Sequence, residues 1–191
     1  MTHQLRSAAT VTAAVVAMTL GLSGCNGDDE PKPIPTQTES PSPGASVSPP
    51  PDDTPELDDE QQAAFDAAVQ RYAEYQEFTN RVWEEPSRDP DVALELAEYT
   101  VTPETKAWSD SNEGLIENDQ HYSGSRDVEW TAPVEVSESR IHFQQCESPG
   151  DYKLHEGDEF SEATDNIVSD VYMVKQDGTW LVEDQEFEEE C

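Results

Sequence analysis

The residues of this chain best suited to covalent chemistry are its three cysteines. Cys25 directly follows Ser23 and Gly24 at the end of an apolar run, whereas Cys146 and Cys191 lie in the second half of the chain. Small residues before a cysteine fit a protease groove, and a cysteine thiol can carry a lipid as a thioether. If Cys25 is modified in this way, one pair of thiols is left. In exported proteins such a pair is ordinarily oxidised to a disulfide. The sequence therefore predicts lipidation at Cys25 and a disulfide between Cys146 and Cys191.

Residues 1–24 have the anatomy of a bacterial lipoprotein signal peptide, and Leu22-Ser23-Gly24-Cys25 resembles the lipobox at which signal peptidase cuts before the cysteine. Arg6 and the terminal amine precede the apolar stretch 8–22, which is typical of an exported chain. A membrane-spanning helix needs about twenty apolar residues, and this stretch is shorter and contains three threonines. We therefore expect a lipid anchor at the outer face of the cell membrane. The alternatives are an uncleaved transmembrane helix and a secretory signal that ends in cysteine by chance.

The chain is strongly acidic, with 10 Lys+Arg against 43 Asp+Glu and a net charge of −33. Nucleic-acid binding requires a cationic surface for the phosphates, so we expect no nucleic-acid partner. The same charge argues against electrostatic attachment to anionic lipids. A solvated acidic surface keeps an exported protein soluble and is the simplest interpretation. Attraction of cations or of a basic partner, and adaptation to high salt, are the alternatives.

Residues 25–57 are predicted to be a disordered tether. Nine prolines fall between Asn26 and Glu60, among Ser, Thr, Asp and Glu, and this segment contains no aromatic residue. Such a composition cannot bury enough apolar surface to offset the entropy of ordering. Because proline-rich chain is a semi-rigid spacer, we expect it to hold a folded domain, residues 58–191, clear of the membrane.

Apolar spacing predicts three helices at the start of this domain. An aspartate at 58 or 59 caps the first helix, whose apolar stripe from Phe65 to Trp83 repeats every three or four residues. Asp89-Pro90 predicts a second helix, because a capping residue followed by proline is typical of a helix start. Thr102-Pro103 predicts a third helix by the same signal.

Beyond Gly124 the apolar period changes to two, which predicts strands. Val128 to Val136 and Ile141 to Cys146 are the first two, and the polar residues 147–166 are predicted to form a loop. Residues 167–175 and 179–187 are predicted to form a hairpin around Asp177-Gly178, a strong two-residue turn signal. Helices followed by antiparallel strands imply an α+β fold with helices packed on a curved antiparallel sheet.

The predicted strands also bear on the disulfide. In an antiparallel meander the strands that lead to Cys146 and Cys191 run the same way, so both cysteines arrive at one end of the sheet. They are then one strand apart, about 9–10 Å on a flat sheet, which is beyond the reach of a disulfide. The tail Glu188-Glu189-Glu190 must therefore curl across the intervening strand. Two unpaired thiols are the alternative.

The long first helix, two shorter helices and the closing hairpin Asp177-Gly178-Thr179-Trp180-Leu181-Val182 resemble the NTF2-like (cystatin-like cone) superfamily. More narrowly, the chain is similar to small actinobacterial lipoproteins that combine a lipobox, a proline-rich tether and such a domain. The resemblance covers about residues 60–191 and implies a pocket between the sheet and the first helix. The superfamily includes isomerases and dehydratases, and the isomerase type pairs a carboxylate base with a buried oxyanion-stabilising tyrosine or acid. Tyr72 or Tyr75 on the first helix fits that role, although their spacing equally fits a core stripe.

The remaining candidates for chemistry are three histidines and an acidic stretch. His121, His142 and His155 lack the HExxH pattern or a comparable spacing, and residues 155–159 lack the alternating ligands of an EF-hand loop. We therefore expect no metal site, no cofactor and no catalytic residue set that the sequence alone identifies.

Four tryptophans either frame an aromatic ligand pocket or fill the core of a small domain. The core is favoured for Trp83 and Trp180, and less so for Trp108, which lies in a polar stretch; Trp130 is the fourth.

The leading hypothesis is a cell-surface lipoprotein whose non-catalytic domain binds a protein or a small apolar ligand. The alternative is an NTF2-type isomerase or dehydratase that acts on a small apolar substrate. A packed cone would exclude the enzyme, whereas a cone on the order of several hundred Å³ with a buried carboxylate near Tyr72 or Tyr75 favours it.

Overall fold

The computed structural model describes residues 48–52, 54–189 and 191, so Cys25, the signal segment and most of the predicted tether lie outside the described residues. Within this part of the chain, no helix has a stretch long and apolar enough to cross a membrane. Three helices precede seven strands. They are α1 Asp59–Glu84, α2 Pro90–Leu96, α3 Thr102–Glu117, β1 Gln120–Ser123, β2 Asp127–Val136, β3 Arg140–Ser148, β4 Lys153–Glu156, β5 Glu159–Glu162, β6 Ile167–Gln176 and β7 Thr179–Glu189.

All three predicted helix starts are confirmed. The Asp58 carboxylate accepts hydrogen bonds from the backbone N–H groups of Glu60 and Gln61, at 3.0 and 2.8 Å. The Gln61 side chain accepts one from the Asp58 backbone N–H in return, at 3.1 Å, which completes a capping box. Asp89 caps α2 and is followed by proline, and α3 begins at Thr102 without a side-chain cap.

Four strands form an antiparallel sheet in the order β2-β3-β6-β7, with α1 packed on its inner face. The predicted hairpin is confirmed, and Asp177 and Gly178 both have positive φ, at 51° and 88°, as the favoured two-residue hairpin turn requires. The core between α1 and the sheet includes Phe65, Tyr72, Phe78, Ile141, Phe143, Val171, Met173, Trp180 and Val182. The expected α+β arrangement of helices on an antiparallel sheet is therefore present.

The prediction of a loop at residues 147–166 is wrong. β3 extends to Ser148, and the rest of this segment contains β4 and β5, which join β1 in a second antiparallel sheet of order β1-β4-β5. Each of these strands has four residues and little apolar alternation, so no period-two signal marks them in the sequence. Tyr122 holds them against α1: its ring stacks on Tyr152, with centroids 4.9 Å apart, and lies 5.6 Å from the Trp83 ring.

Two backbone turns fix how the small sheet joins the large one. The Ser125 N–H donates to the Asp151 carboxylate at 2.8 Å, and the Asp151 N–H donates to the Ser125 carbonyl at 3.2 Å. Gly150 precedes Asp151 with a φ of 55°. The segment before β2 and the segment before β4 therefore cross in direct contact.

The predicted disulfide between Cys146 and Cys191 is present, with Cα atoms 6.0 Å apart. β3 and β7 flank β6 and run the same way, as expected. The prediction that Glu188-Glu189-Glu190 curls across β6 is wrong for its first two residues, which continue β7 and pair with the start of β6. The Asn166 side-chain amide donates to the Cys191 carbonyl at 3.2 Å, so the chain end lies beside the start of β6. The disulfide packs with Val168 and Trp130.

The described tether residues, 48–52 and 54–57, lie in no helix or strand. One of them nevertheless contacts the domain: the Trp130 indole N–H donates to the Ser48 carbonyl at 2.8 Å. Trp130 therefore ties this end of the proline-rich segment to β2, beside the disulfide.

Candidate functional site

A cavity of about 350 Å³ lies between α1 and the inner face of the large sheet, with the small sheet along one side. Its volume is in the range of pockets that hold small organic ligands, roughly 300–1,000 Å³. Its aromatic lining residues are Tyr72, Tyr75, Trp83, Tyr122, Tyr152 and Phe187. A wider groove of about 800 Å³ lies at the start of α1, but exposed side chains such as Asp58, Glu60 and Ala67 line it. The smaller cavity, whose lining includes the buried Tyr72, Tyr75 and Glu147, is therefore the better candidate.

Glu147 is the buried charged group of this cavity. Alternation along β3 puts Gln145 and Glu147 on the same face as the core residues Ile141 and Phe143, and Glu147 is only 6% exposed. The side-chain amides of Gln76 and Gln145 donate to its Oε1 at 2.5 and 2.6 Å. Such charge-assisted bonds offset part of the cost of burying a carboxylate.

The second carboxylate oxygen of Glu147, Oε2, remains available to accept a hydrogen bond from a ligand in the cavity. Both amides bind Oε1, and no donor to Oε2 is found among the residues that the structure describes. In the same part of the chain, no Lys, Arg or His forms an ion pair with this carboxylate. Glu147 thus offers an anionic acceptor to anything that enters.

Tyr72 and Tyr75 serve both roles that the sequence left open. They are 1% and 4% exposed and belong to the core, and both also line the cavity. The Tyr72 hydroxyl accepts a hydrogen bond from the Gln185 amide at 2.7 Å. Burial raises the pKa of Tyr72 well above its usual value, and the Glu147 carboxylate raises it further. Burial likewise raises the pKa of Tyr75 and of Tyr152, so these three phenols keep their protons at ordinary pH.

The mouth of the cavity is partly apolar. Val128 and Phe187 are 54% and 64% exposed at its edge. Arg126 also lines the cavity, but its guanidinium donates to the Asp165 carbonyl at 3.0 Å and lies 5.4 Å from the Tyr152 ring centroid. The site therefore combines an apolar entrance, aromatic walls and a carboxylate at depth.

The structure brings none of the three candidate histidines to the cavity. His121 stacks on His155 in the small sheet, with ring centroids 4.4 Å apart. His142 Nε2 lies 2.7 Å from Asp170 Oδ1 on β6, and alternation places it on the face opposite α1. Among the described residues, no group of three or more His, Cys, Asp or Glu side chains is arranged to hold a metal ion.

The tryptophans divide between the core, the cavity and the disulfide. Trp180 is buried, which confirms its predicted core position, and Trp83 packs against the core while also lining the cavity. Trp108 is more deeply placed than its polar surroundings indicate. It is 5% exposed, because its ring stacks with Trp83 and its N–H donates to Thr79 at 3.3 Å.

Sequence reasoning missed the carboxylate and half of the aromatic wall. The signal for Glu147 is present, because a polar residue at the inward register of Ile141 and Phe143 marks where a packed core gives way to a cavity. Tyr122 and Tyr152 carry no such signal, since the strand and turn that position them are too short to show periodicity.

No protein-family model and no curated protein matches the chain. Among solved structures, it is similar to the intermembrane space region of chloroplast protein ARC6, with a TM-score of 0.50 and 12% identity over 71% of this chain and 99% of that chain. A de novo designed β-sheet protein is a weaker match, with a TM-score of 0.35 and 11% identity over 64% of this chain and 88% of that one. At 12% identity, the likeness to the ARC6 region concerns the fold alone.

Proposed function

We propose that this chain is a lipoprotein, anchored through Cys25 at the outer face of the cell membrane, whose residues 58–191 form an NTF2-like domain that binds a small, largely apolar ligand. The cavity between α1 and the large sheet carries the proposal, because it is ligand-sized, aromatic and contains one buried acceptor. The long helix over an antiparallel sheet agrees with the NTF2-like resemblance. The lipobox and the proline-rich segment support the anchor.

The cavity has the two features that small-ligand binding requires, an apolar surface and a few polar groups at depth. Aromatic walls remove apolar surface from water at roughly 25 cal/mol per Å², and a few polar groups at depth orient a ligand. Both are present here, in the ring of aromatic residues and in Glu147.

One observation favours a second candidate, an isomerase or dehydratase. A buried carboxylate, Glu147, lies in the same cavity as Tyr72, and those are the two groups that such an enzyme pairs. The enzyme additionally needs the tyrosine to donate its proton to substrate. The Tyr72 side chain is only 1% exposed, so little of it is within reach of a substrate, which favours binding without catalysis.

Blocking the mouth of the cavity tests the binding function. We expect Nile red, a neutral apolar dye, to bind the wild type saturably with increased fluorescence, and Val128→Trp to weaken that binding at least tenfold. Val134→Trp is the matched control, because Val134 is also an exposed valine of β2 but does not line the cavity. Absence of saturable binding to the wild type, or equal effects of the two variants, would contradict the proposal.

The enzyme is tested separately by proton exchange. In D₂O, a carboxylate base exchanges protons at the carbon next to a ketone, and NMR detects this in cyclohexenone. We expect no exchange above the buffer rate. Exchange that the wild type catalyses and that Glu147→Gln abolishes would establish the second candidate instead.

A further inference from the structure

We infer that the ligand of this cavity is an organic cation, a substituted ammonium with an apolar body, whose charged head binds beside Glu147. This inference rests on the proposed binding function and names the chemical class of the ligand.

The first argument is the unbalanced charge of Glu147. Buried carboxylates are ordinarily paired, because an isolated buried charge is costly. Asp170, which is 7% exposed, has a group beside it that can carry a positive charge, because His142 Nε2 lies 2.7 Å from its Oδ1. Glu147 is as deeply buried, yet its partners in the described chain are two neutral amides that both bind Oε1. A cationic ligand supplies the missing countercharge at Oε2.

The second argument is the chemistry of the walls. Cations bind to the faces of tryptophan and tyrosine rings, most strongly where water is excluded, and a substituted ammonium is suited to such sites. Trp83, Tyr75, Tyr122 and Tyr152 surround the same cavity as Glu147. Burial raises the pKa of Tyr75 and of Tyr152, so these two phenols add no negative charge to the site.

The third argument is that the protein's own cation at this cavity forms no ion pair with Glu147 within the described residues. Arg126 is the basic residue of the cavity lining, and it donates to the Asp165 carbonyl while lying near the Tyr152 ring. The chain as a whole has a net charge of −33. A field of that sign concentrates cations near the surface and speeds their arrival.

A pair of isosteric probes tests the inference on the mature full-length protein. Choline carries a quaternary nitrogen where 3,3-dimethyl-1-butanol carries a neutral carbon, and the two are otherwise alike in shape. Titration followed by NMR is expected to show choline binding at least tenfold more tightly than the alcohol. Glu147→Gln is expected to reduce the affinity for choline to that for the alcohol, because the variant has no charge to attract the quaternary nitrogen. Glu129→Gln is the matched control, because Glu129 is an exposed carboxylate of β2 outside the cavity lining.

The wild-type comparison stands even if Glu147→Gln fails to fold. Equal affinity for the two probes, or no choline binding while Nile red binds, would overturn the cationic ligand and leave the cavity's binding function intact. A choline preference that survives Glu147→Gln in a folded protein would overturn the role of this carboxylate. Failure of choline, the alcohol and Nile red together would overturn the binding function itself.

Discussion

At the residue scale, Glu147 raises the pKa of two tyrosines to which it makes no hydrogen bond, Tyr72 and Tyr152. Its carboxylate adds to the effect of burial in raising the pKa of Tyr72, and it contributes in the same direction at Tyr152. A buried negative charge acts on its surroundings because little solvent screens it, and Glu147 is only 6% exposed. Its charge therefore favours the neutral form of Tyr72 and Tyr152.

These tyrosines predict a loss of stability at alkaline pH. An unfolded tyrosine ionises near pH 10, whereas Tyr72, Tyr75 and Tyr152 keep their protons in the fold. Above about pH 10 the unfolded state therefore binds fewer protons, and the free energy of unfolding falls by about 1.4 kcal/mol per pH unit for each tyrosine. Below that pH the stabilisation is fully present. Urea unfolding between pH 8 and pH 11.5 measures the slope.

Tyr72→Phe is the control for that measurement. It removes one of the three ionisations, so we expect its stability to fall less steeply above pH 10 than that of the wild type. An identical slope in the variant would show that Tyr72 is not one of the tyrosines responsible.

Much of the candidate site lies in residues whose identity alone gives no signal. Tyr72 and Tyr75 follow from helical spacing, because the side of α1 that packs on the sheet also borders the cavity. Gln76 directly follows Tyr75 on α1, and its role depends on Glu147, which is 71 residues away in the chain. No local pattern relates two such residues; only the register of β3 against α1 does.

At the element scale, the crossing of the segments before β2 and β4 determines where the small sheet stands. Gly150 has a φ of 55°, and a Cβ added there would lie 2.2 Å from the Ser125 carbonyl oxygen. Gly157, in the turn between β4 and β5, has a φ of 57° but nothing within 4 Å of such a Cβ. The two glycines share a backbone conformation and differ in the space around them.

Alanine at these two positions separates conformation from contact. Gly157→Ala carries only the strain of a left-handed residue, about 1 kcal/mol, whereas Gly150→Ala adds a backbone collision and is expected to cost at least twice as much. Gly150→Ala is also expected to weaken Nile red binding, because it displaces Tyr152. Urea unfolding and dye titration check both effects. Equal losses of stability would show that the crossing is not tightly packed.

The disulfide fixes the end of β7 against β3. Its cysteines are 45 residues apart in sequence, and closing a loop of that size contributes up to about 4 kcal/mol on the chain-entropy model. We expect Cys146→Ala with Cys191→Ala to lower the free energy of unfolding by an amount approaching that figure, as measured in urea. Unchanged stability on adding a reductant to the wild type would contradict this expectation.

The helices and the large sheet follow from the sequence because each carries a local signal. Asp58, Asp89-Pro90 and Asp177-Gly178 mark boundaries by their own capping or turn chemistry. β4 and β5 do not, because their residues are mostly polar and their pairing is set by contacts with β1 and α1. The small sheet therefore emerges only from the tertiary structure.

At the scale of the whole molecule, the proposed lipid anchor on Cys25 would hold the domain at the membrane surface. We predict that mature wild-type protein partitions into the detergent phase of Triton X-114, because two acyl chains on Cys25 bind a bilayer stably. Cys25→Ser is expected to remain unprocessed at this site. The Cys146→Ala, Cys191→Ala double variant is the control and is expected to partition like the wild type. Equal recovery of the wild type and Cys25→Ser from the aqueous phase would contradict lipidation.

The two sheets contribute different residues to the cavity lining, and this affects how the site can change by mutation. The large sheet supplies the carboxylate of Glu147, and the small sheet and its turns supply Tyr122 and Tyr152. β4 and β5 arise from one excursion between β3 and β6, so insertions and substitutions there reshape the wall without changing the register of β3, β6 and β7. If Glu147 sets the charge preference of the site, as we propose, changes in this excursion can alter the wall near Tyr152 and leave that preference and the framework of the large sheet in place.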